Sequence, residues 1–181
     1  MYEIERKFKL TTDQFSTARD QLAKNFPEPQ TLVQRDDIFI EPGKNLRDHK
    51  KGEPMARLRT ENGTSIFTYK RTLLETGNRI EHESLVGDPQ AMAAFLGEIG
   101  WELAISYEKE RLLFSDGNLH FALDTFDGLG HFLEIEIVSD TDNQNAETYL
   151  FAEAQKLGIN PQAQVEYRNY AMLSLAARGD V

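Results

Sequence analysis

The sequence contains no cysteine, a single tryptophan and only six prolines among 181 residues. Without cysteine there can be no disulfide, no cysteine-ligated zinc finger and no thiol nucleophile. Long apolar runs are missing as well, and nothing approaches the roughly 20 residues of a membrane-spanning helix. The N-terminal stretch is charged and has no signal-peptide core, so a soluble, cytoplasmic protein without a membrane partner is expected. Positive charge is scarce: 20 Lys and Arg stand against 30 Asp and Glu, a formal net charge of −10. Such a chain repels nucleic acid as a whole, and no nucleic-acid partner is expected. Any polyanion it binds must meet a local concentration of positive charge.

What is present suits a folded domain. Hydrophobic residues make up 40% of the chain and are spread along it, which is enough for a core at this length. No repeat, linker or low-complexity tract divides it, so residues 1–181 read as one α+β domain. Residues 3–9 (EIERKFK) alternate charged and apolar side chains, the pattern of a strand. A helix is expected over 11–25, capped by Thr12 or Asp13 and carrying Phe15, Ala18 and Leu22 on one stripe. Strands follow over 32–41, 55–61, 64–71, 78–86, 103–114, 119–126 and 131–139. Asn62-Gly63 and Asp116-Gly117 mark tight hairpins, so the sheet should be antiparallel. Residues 42–54 read as a polar loop with Lys44, Arg47, His49, Lys50 and Lys51, either solvated or a basic lip that recruits an anion. Asp88-Pro89 opens a second helix that Gly100 ends, with Trp101 as packing. Two further helices are expected over 143–157 and from Pro161 to about Ala176, the latter capped by Asn160. None of the four histidines has a companion at HxH or HExxH spacing, which argues against zinc. Gly128 and Gly130 belong to a turn and not to a phosphate-binding loop.

The strands carry the functional signal. At every second position they offer Glu3, Glu5 and Lys7; Arg57 and Arg59; Lys70; Arg79, Glu81 and Glu83; Lys109 and Arg111; Asp124; Glu134 and Glu136. Between them lie Ile4, Leu58, Phe67, Tyr69, Ile80, Leu112, Leu123, Ile135 and Ile137, interrupted by His82 and Glu110. Any antiparallel sheet with one wet face alternates in this way, so a plain structural β-protein is one reading. Wet faces, however, usually carry many Thr, Ser and Gln, whereas these carry mainly Glu, Asp, Arg and Lys. If they converge inside a barrel, the cavity must be filled by something with charges of its own. Carboxylate oxygens suit a hard cation such as Mg²⁺ or Mn²⁺. Arg and Lys suit phosphate oxygens. A triphosphate with a divalent metal needs both.

Glu3-x-Glu5-x-Lys7 resembles the ExExK signature of the CYTH superfamily, the triphosphate tunnel metalloenzymes. That superfamily takes in class IV (CyaB-like) adenylyl cyclases, thiamine triphosphatases and inorganic triphosphatases. The resemblance continues in order through ARLR, FTYK, RIEHE, EKER and LDTFDGLGHFLEIEI to EYRNYAML. It implies an eight-stranded antiparallel β-barrel, a tunnel with its charged faces inward, flanked by helices. It implies that Arg57, Lys70, Arg79, Lys109 and Arg111 grip the phosphate chain, with Arg59 and Arg168 as further binding candidates. Lys7 contacts phosphate or positions Glu5. Glu5, Asp124, Glu134 and Glu136 are the implied metal ligands, assisted by Glu3, Glu81 and Glu83. The loop before ARLR and the DGLGHF turn resemble the CyaB branch, which implies an adenylyl cyclase turning ATP into cAMP and pyrophosphate. The His-Phe that bacterial class IV cyclases often carry before ExExK has no counterpart here, and the paired Glu81/Glu83 and Glu134/Glu136 resemble the triphosphatases. Phe39 stands where thiamine triphosphatases carry a tyrosine. Hydrolysis of tripolyphosphate, thiamine triphosphate or a nucleoside triphosphate is therefore the alternative, and a non-catalytic polyphosphate- or nucleotide-binding module the second alternative. A homodimer is expected only at the level of the family.

Overall fold

The computed structural model describes residues 2–26, 28–50, 52–72, 79–139 and 145–179, with the side chains of residues 2, 3, 72, 79 and 139 outside the description. Eight strands are present: β1 (Tyr2–Leu10), β2 (Gln30–Ile40), β3 (Met55–Glu61), β4 (Thr64–Thr72), β5 (Arg79–Val86), β6 (Glu102–Asp116), β7 (Leu119–Phe126) and β8 (Gly130–Ser139). Five helices are found among the described residues: α1 (Thr12–Asn25), α2 (Pro89–Glu98), α3 (Ala146–Lys156), α4 (Pro161–Gln164) and α5 (Tyr170–Ala177). The strands form one eight-stranded antiparallel sheet in the order β1-β8-β7-β6-β2-β3-β4-β5. The expected α+β class, an antiparallel sheet with flanking helices, is what the chain adopts. At the β3–β4 hairpin, Asn62 has φ +46° and Gly63 φ +83°. Positive φ at both central residues is the demand that makes Asn-Gly the favoured pair at such a turn.

The residues group into two compact units, one of Met1–Leu32 with Lys109–Arg168 and one of Val33–Glu108 with Asn169–Val181. In the first, Phe8, Leu123, Leu133 and Ile135 face a core shared with Ala18 and Leu22 of α1 and Leu150 and Ala154 of α3. Period-two alternation puts the intervening Lys7, Asp124 and Glu134 on the opposite face. The charged and apolar halves of each strand are thus two sides of the same folding decision.

Helix α1 lies within the expected stretch, but its cap is one residue earlier than expected. Thr11 is its cap: the Thr11 hydroxyl accepts the Gln14 N–H while the Gln14 side chain accepts the Thr11 N–H, a complete capping box. Neither Thr12 nor Asp13 fills that role, because the reciprocal partner three residues on is Gln14. Thr11→Ala should cost about 1 kcal/mol and lower the melting temperature by roughly 3 °C. A calorimetric scan in which the variant melts with the parent would deny the cap that role.

In the second unit Phe39, Ala56, Leu58 and Leu96 form a core against which Phe67, Met92 and Trp101 pack, so Trp101 is a packing residue as expected. A separate cluster joins Ile38, Ile40, Leu46, Ile105 and Ala171. It pins the loop expected over 42–54, where Leu46–Asp48 form a short 3-10 turn. Lys44 of that loop pairs with Glu53 at 2.7 Å.

The expected helix from Pro161 to Ala176 is instead two helices. Asn160 caps α4 as expected, but Val165 leaves the helix to bridge Phe8 of β1. The Glu166 N–H then donates to the Lys7 carbonyl at 2.7 Å. Asn169 restarts the chain as the cap of α5, its side chain accepting the Met172 N–H. Strand-like pairing satisfies backbone groups that a continuous helix would have kept to itself. Tyr167 and Arg168 accordingly precede the last helix.

Candidate functional site

The sheet register converts the alternating charges into cross-strand ion pairs. In the first unit Lys7 stands directly opposite Glu134, and Glu5 opposite Glu136, while Arg111 stands opposite Asp124. Arg111 donates to both Asp124 oxygens, at 2.7 and 2.6 Å, and also to Glu134. Lys109 reaches Asp124 diagonally at 2.9 Å and lies over the Phe126 ring, 5.8 Å from its centre. Lys7 is 3.9 Å from Glu134. The result is a row of alternating sign: Lys109, Asp124, Arg111, Glu134, Lys7.

Asp124 is fully buried. Burial pushes its carboxyl pKa up, but the charge of Lys109 and the hydrogen bonds and charge of Arg111 together outweigh burial and hold it below the ordinary value. Asp124 is therefore ionised at neutral pH, and its two cations are what make that burial tolerable.

The second unit repeats the pattern. Arg57, Thr68 and Glu83 are successive cross-strand partners on β3, β4 and β5. The Thr68 hydroxyl donates to Glu83 at 2.7 Å. One terminal nitrogen of Arg57 reaches both Thr68 Oγ1 and Glu83, each at 3.2 Å. Lys70 pairs with Glu81 at 2.7 Å. Arg59 forms two bonds to the facing Asp36, at 2.7 and 2.8 Å. Burial, then the Asp36 charge, push the Tyr107 phenol well above its ordinary pKa, and its hydroxyl is hydrogen-bonded to Asp36.

The candidate residues thus fall into place unevenly. Lys7, Lys109, Arg111, Asp124 and Glu134 are brought together in the first unit. Arg57 joins Glu83, and Lys70 joins Glu81, in the second. Glu5 and Glu136 face each other across β1 and β8. Arg168 is clasped by Glu166, which accepts two guanidinium bonds at 2.9 and 2.6 Å. The side chains of Glu3 and Arg79 lie outside the described residues. Among the described residues no three His, Asp or Glu side chains form a group that could hold a metal ion; Asp124, Glu134, Glu81 and Glu83 are each matched with a cation. His82, which interrupts the alternation, stacks on Tyr69 with rings 6.5 Å apart.

Four participants were not among the sequence candidates: Asp36, Thr68, Tyr107 and Glu166. Thr68 was legible in principle, since it shares a strand face with Lys70. Asp36 was not, because β2 and β3 are joined by a long loop whose length does not fix which residues pair.

A CYTH domain model matches residues 1–166, and the chain belongs to the CYTH domain family. A Methanocaldococcus jannaschii protein named "putative adenylate cyclase" is 28% identical over 102 residues, which is 55% of this chain and 58% of that protein. The chain thus spans little more than half the length of that curated relative. A solved Pyrococcus horikoshii structure is similar with a TM-score of 0.76 at 23% identity, covering 97% of this chain and 99% of that one. A Vibrio parahaemolyticus structure described as a "putative adenylate cyclase" has a TM-score of 0.73 at 24% identity, covering 96% and 98%. A Hippeastrum structure, described as a "putative adenylyl cyclase" with a dominant triphosphatase activity, has a TM-score of 0.66 at 18% identity, covering 98% and 95%. At these identities the likeness is one of fold. No helix among the described residues is long and apolar enough to cross a membrane.

Proposed function

We propose that the protein is a divalent-metal-dependent enzyme acting on a triphosphate, an adenylyl cyclase converting ATP to cAMP and pyrophosphate. The observation that carries the triphosphate is Arg57. Its Nε–H is buried and has no acceptor among the described residues. A buried donor left without an acceptor is costly, and an anionic oxygen is the partner that best relieves it. The surrounding chemistry agrees. The cations are held by carboxylates that a more highly charged phosphate chain can displace where those carboxylates can return to water, as half-exposed Glu83 can. In the second unit Arg57 and Lys70 are the cations we assign to phosphate oxygens. Phosphoryl chemistry gains most of its rate from such positioning and charge neutralisation.

The donor set fits a hard cation: it offers carboxylate oxygens and no thiolate. Glu5 and Glu136 stand directly opposite each other, and like charges so placed favour a cation between them. Glu5 and Glu136 are the facing pair that would contribute carboxylate oxygens to Mg²⁺ or Mn²⁺, which supplies Lewis-acid neutralisation of phosphate charge. The chain's own part is to hold the phosphates still while the ribose 3′-oxygen attacks the α-phosphorus and pyrophosphate leaves.

The second reading, hydrolysis of a triphosphate, is favoured by the carboxylate pair Glu81 and Glu83 on β5. Against it, Phe39 is buried in the core and has no hydroxyl, and the raised Tyr107 phenol stays protonated. Neither ring can serve as the base for an attacking water. The test is to incubate the protein with ATP or tripolyphosphate plus Mg²⁺ or Mn²⁺ and separate the products. cAMP and pyrophosphate support cyclisation. ADP or free phosphate supports hydrolysis. Intact substrate in every reaction leaves the binding module or a plain structural β-protein.

A further inference from the structure

We infer that Gln34 selects the base of the substrate: its side-chain carbonyl accepts a hydrogen bond from the exocyclic amino group of a nucleoside triphosphate. The inference rests on the triphosphate reading and narrows it to an amino-bearing base such as adenine. Gln34 faces Glu61 across β2 and β3, just as Asp36 faces Arg59 and Ile38 faces Arg57. Period-two alternation therefore puts Gln34 on the strand face that carries Arg57. The residue is 2% exposed, yet only one end of its amide is matched. Its Nε2 donates to the Glu61 carboxylate. An ionised carboxylate can only accept, so this bond fixes which end of the amide is nitrogen and which is oxygen. The Oε1 is left buried with no donor among the described residues. An acceptor so placed is costly until a donor arrives. A ligand ammonium would be drawn past it to the Glu61 charge, so the donor that suits this lone amide oxygen is a neutral N–H.

Two further features point to a base. The cross-strand row between Gln34 and Arg57 is partly apolar: Arg59 faces Ile66, and Ile66 faces Leu85. Leu85 is 76% exposed and shares its strand face with Glu81 and Glu83. A large apolar side chain left in water on an otherwise charged face gains when a flat ring covers it. The spacing agrees as well. Glu61, the partner of Gln34, follows Arg57 by four positions on β3, roughly 13 Å at about 3.3 Å per residue. With the phosphates at Arg57, a ribose and base have a comparable length to span before they reach Gln34. Inorganic tripolyphosphate has no N–H to offer and would leave the Gln34 oxygen unmet. Gln34 is thus a specificity residue, set apart from the cations that take the phosphates.

The test titrates the full chain by calorimetry with ATP, ITP and tripolyphosphate. It is run in EDTA, to prevent metal-dependent turnover, and again with Mg²⁺. ITP carries a carbonyl oxygen where ATP carries the amino group, so two acceptors would face each other at Gln34. The wild type should bind ATP at least about tenfold more tightly than ITP. Q34M, which keeps the length of the side chain but has no amide, should narrow that ratio to within about threefold and leave the affinity for tripolyphosphate within about twofold. If Q34M does not fold, Q34N, which withdraws the amide by one methylene, carries the measurement with the same expected result. Equal affinity of the wild type for ATP and ITP overturns the inference, and so does a Q34M protein that keeps the full ratio. In both cases tripolyphosphate that still binds keeps the triphosphate reading. A Q34M protein that loses tripolyphosphate along with ATP makes Gln34 a structural residue and overturns the inference too. Tripolyphosphate that binds the wild type in neither condition defeats the triphosphate reading and the inference with it.

Discussion

Glu134→Gln lowers turnover of a triphosphate substrate by at least about a thousandfold and leaves the melting temperature within about 3 °C of the parent. Glutamine keeps the size and an acceptor oxygen, so what is lost is charge. Glu134 is the carboxylate that faces Lys7 across the β1–β8 pair and also accepts from Arg111. Arg111 retains both of its bonds to Asp124 after the change, and for that reason the fold should hold. The Lys7 ammonium, 3.9 Å from Glu134, also interacts with the charge of the Glu166 carboxylate. The catalytic loss is large because Glu134 has two roles at once: it orders two cations and is a candidate ligand for the metal that neutralises phosphate charge. Steady-state rates together with a thermal scan separate the two effects. Turnover within tenfold of the wild type would remove Glu134 from the site, and a large fall in melting temperature would make its role structural.

The strands and their charged faces were legible because alternation is a local property. Glu134 and Glu136 point to one face and Leu133 and Ile135 to the other wherever β8 is placed in the sheet. Helix α2 was legible for the same reason: Asp88 accepts the Gln90 and Ala91 N–H groups and Pro89 occupies the first helical position. The break between α4 and α5 was not. Nothing in Val165 to Arg168 announces that β1, more than 150 positions earlier, offers Lys7 and Phe8 as partners. Non-local pairing overrode a good helical pattern.

The site was half legible. The residue types were readable, but not which cation would find which carboxylate. Lys109 and Arg111 look equivalent in EKER, yet Lys109 is buried against Asp124 and Phe126 while Arg111 extends on to Glu134. Asp36 escaped notice for the converse reason. It lies in QRDDIFI, where two adjacent aspartates look alike, and becomes significant only when Arg59 is placed opposite it. The motif supplies the ions, and the register decides which are locked and which can exchange.

Asp124→Asn should lower the melting temperature at neutral pH by roughly 10 °C, the largest effect expected of any single uncharged replacement among the ion pairs of the first unit. The change leaves Lys109, whose side chain is 1% exposed, without its counter-charge. It also removes both facing oxygens as anionic anchors of Arg111. Breaking one half of a buried pair costs about 3–5 kcal/mol, because the surviving charge can neither hydrate nor find a new partner. The pH dependence follows from the direction of the shift. The folded-state pKa of Asp124 is held below its ordinary value, so its ionisation stabilises the fold above the ordinary carboxylate range. That contribution disappears as pH falls below about 4, toward the lowered folded value. The gap between wild type and Asp124→Asn should therefore be widest near pH 7 and narrow steadily in acid, since the wild type loses what the variant never had. Melting curves between pH 7 and pH 2.5 measure it. A gap that stays constant across that range would mean the aspartate acts through its shape and not its charge. A double variant, Lys109→Met with Asp124→Leu, supplies the complementary check. With both charges gone, much of the lost stability should return even though any phosphate chemistry that depends on Arg111 does not.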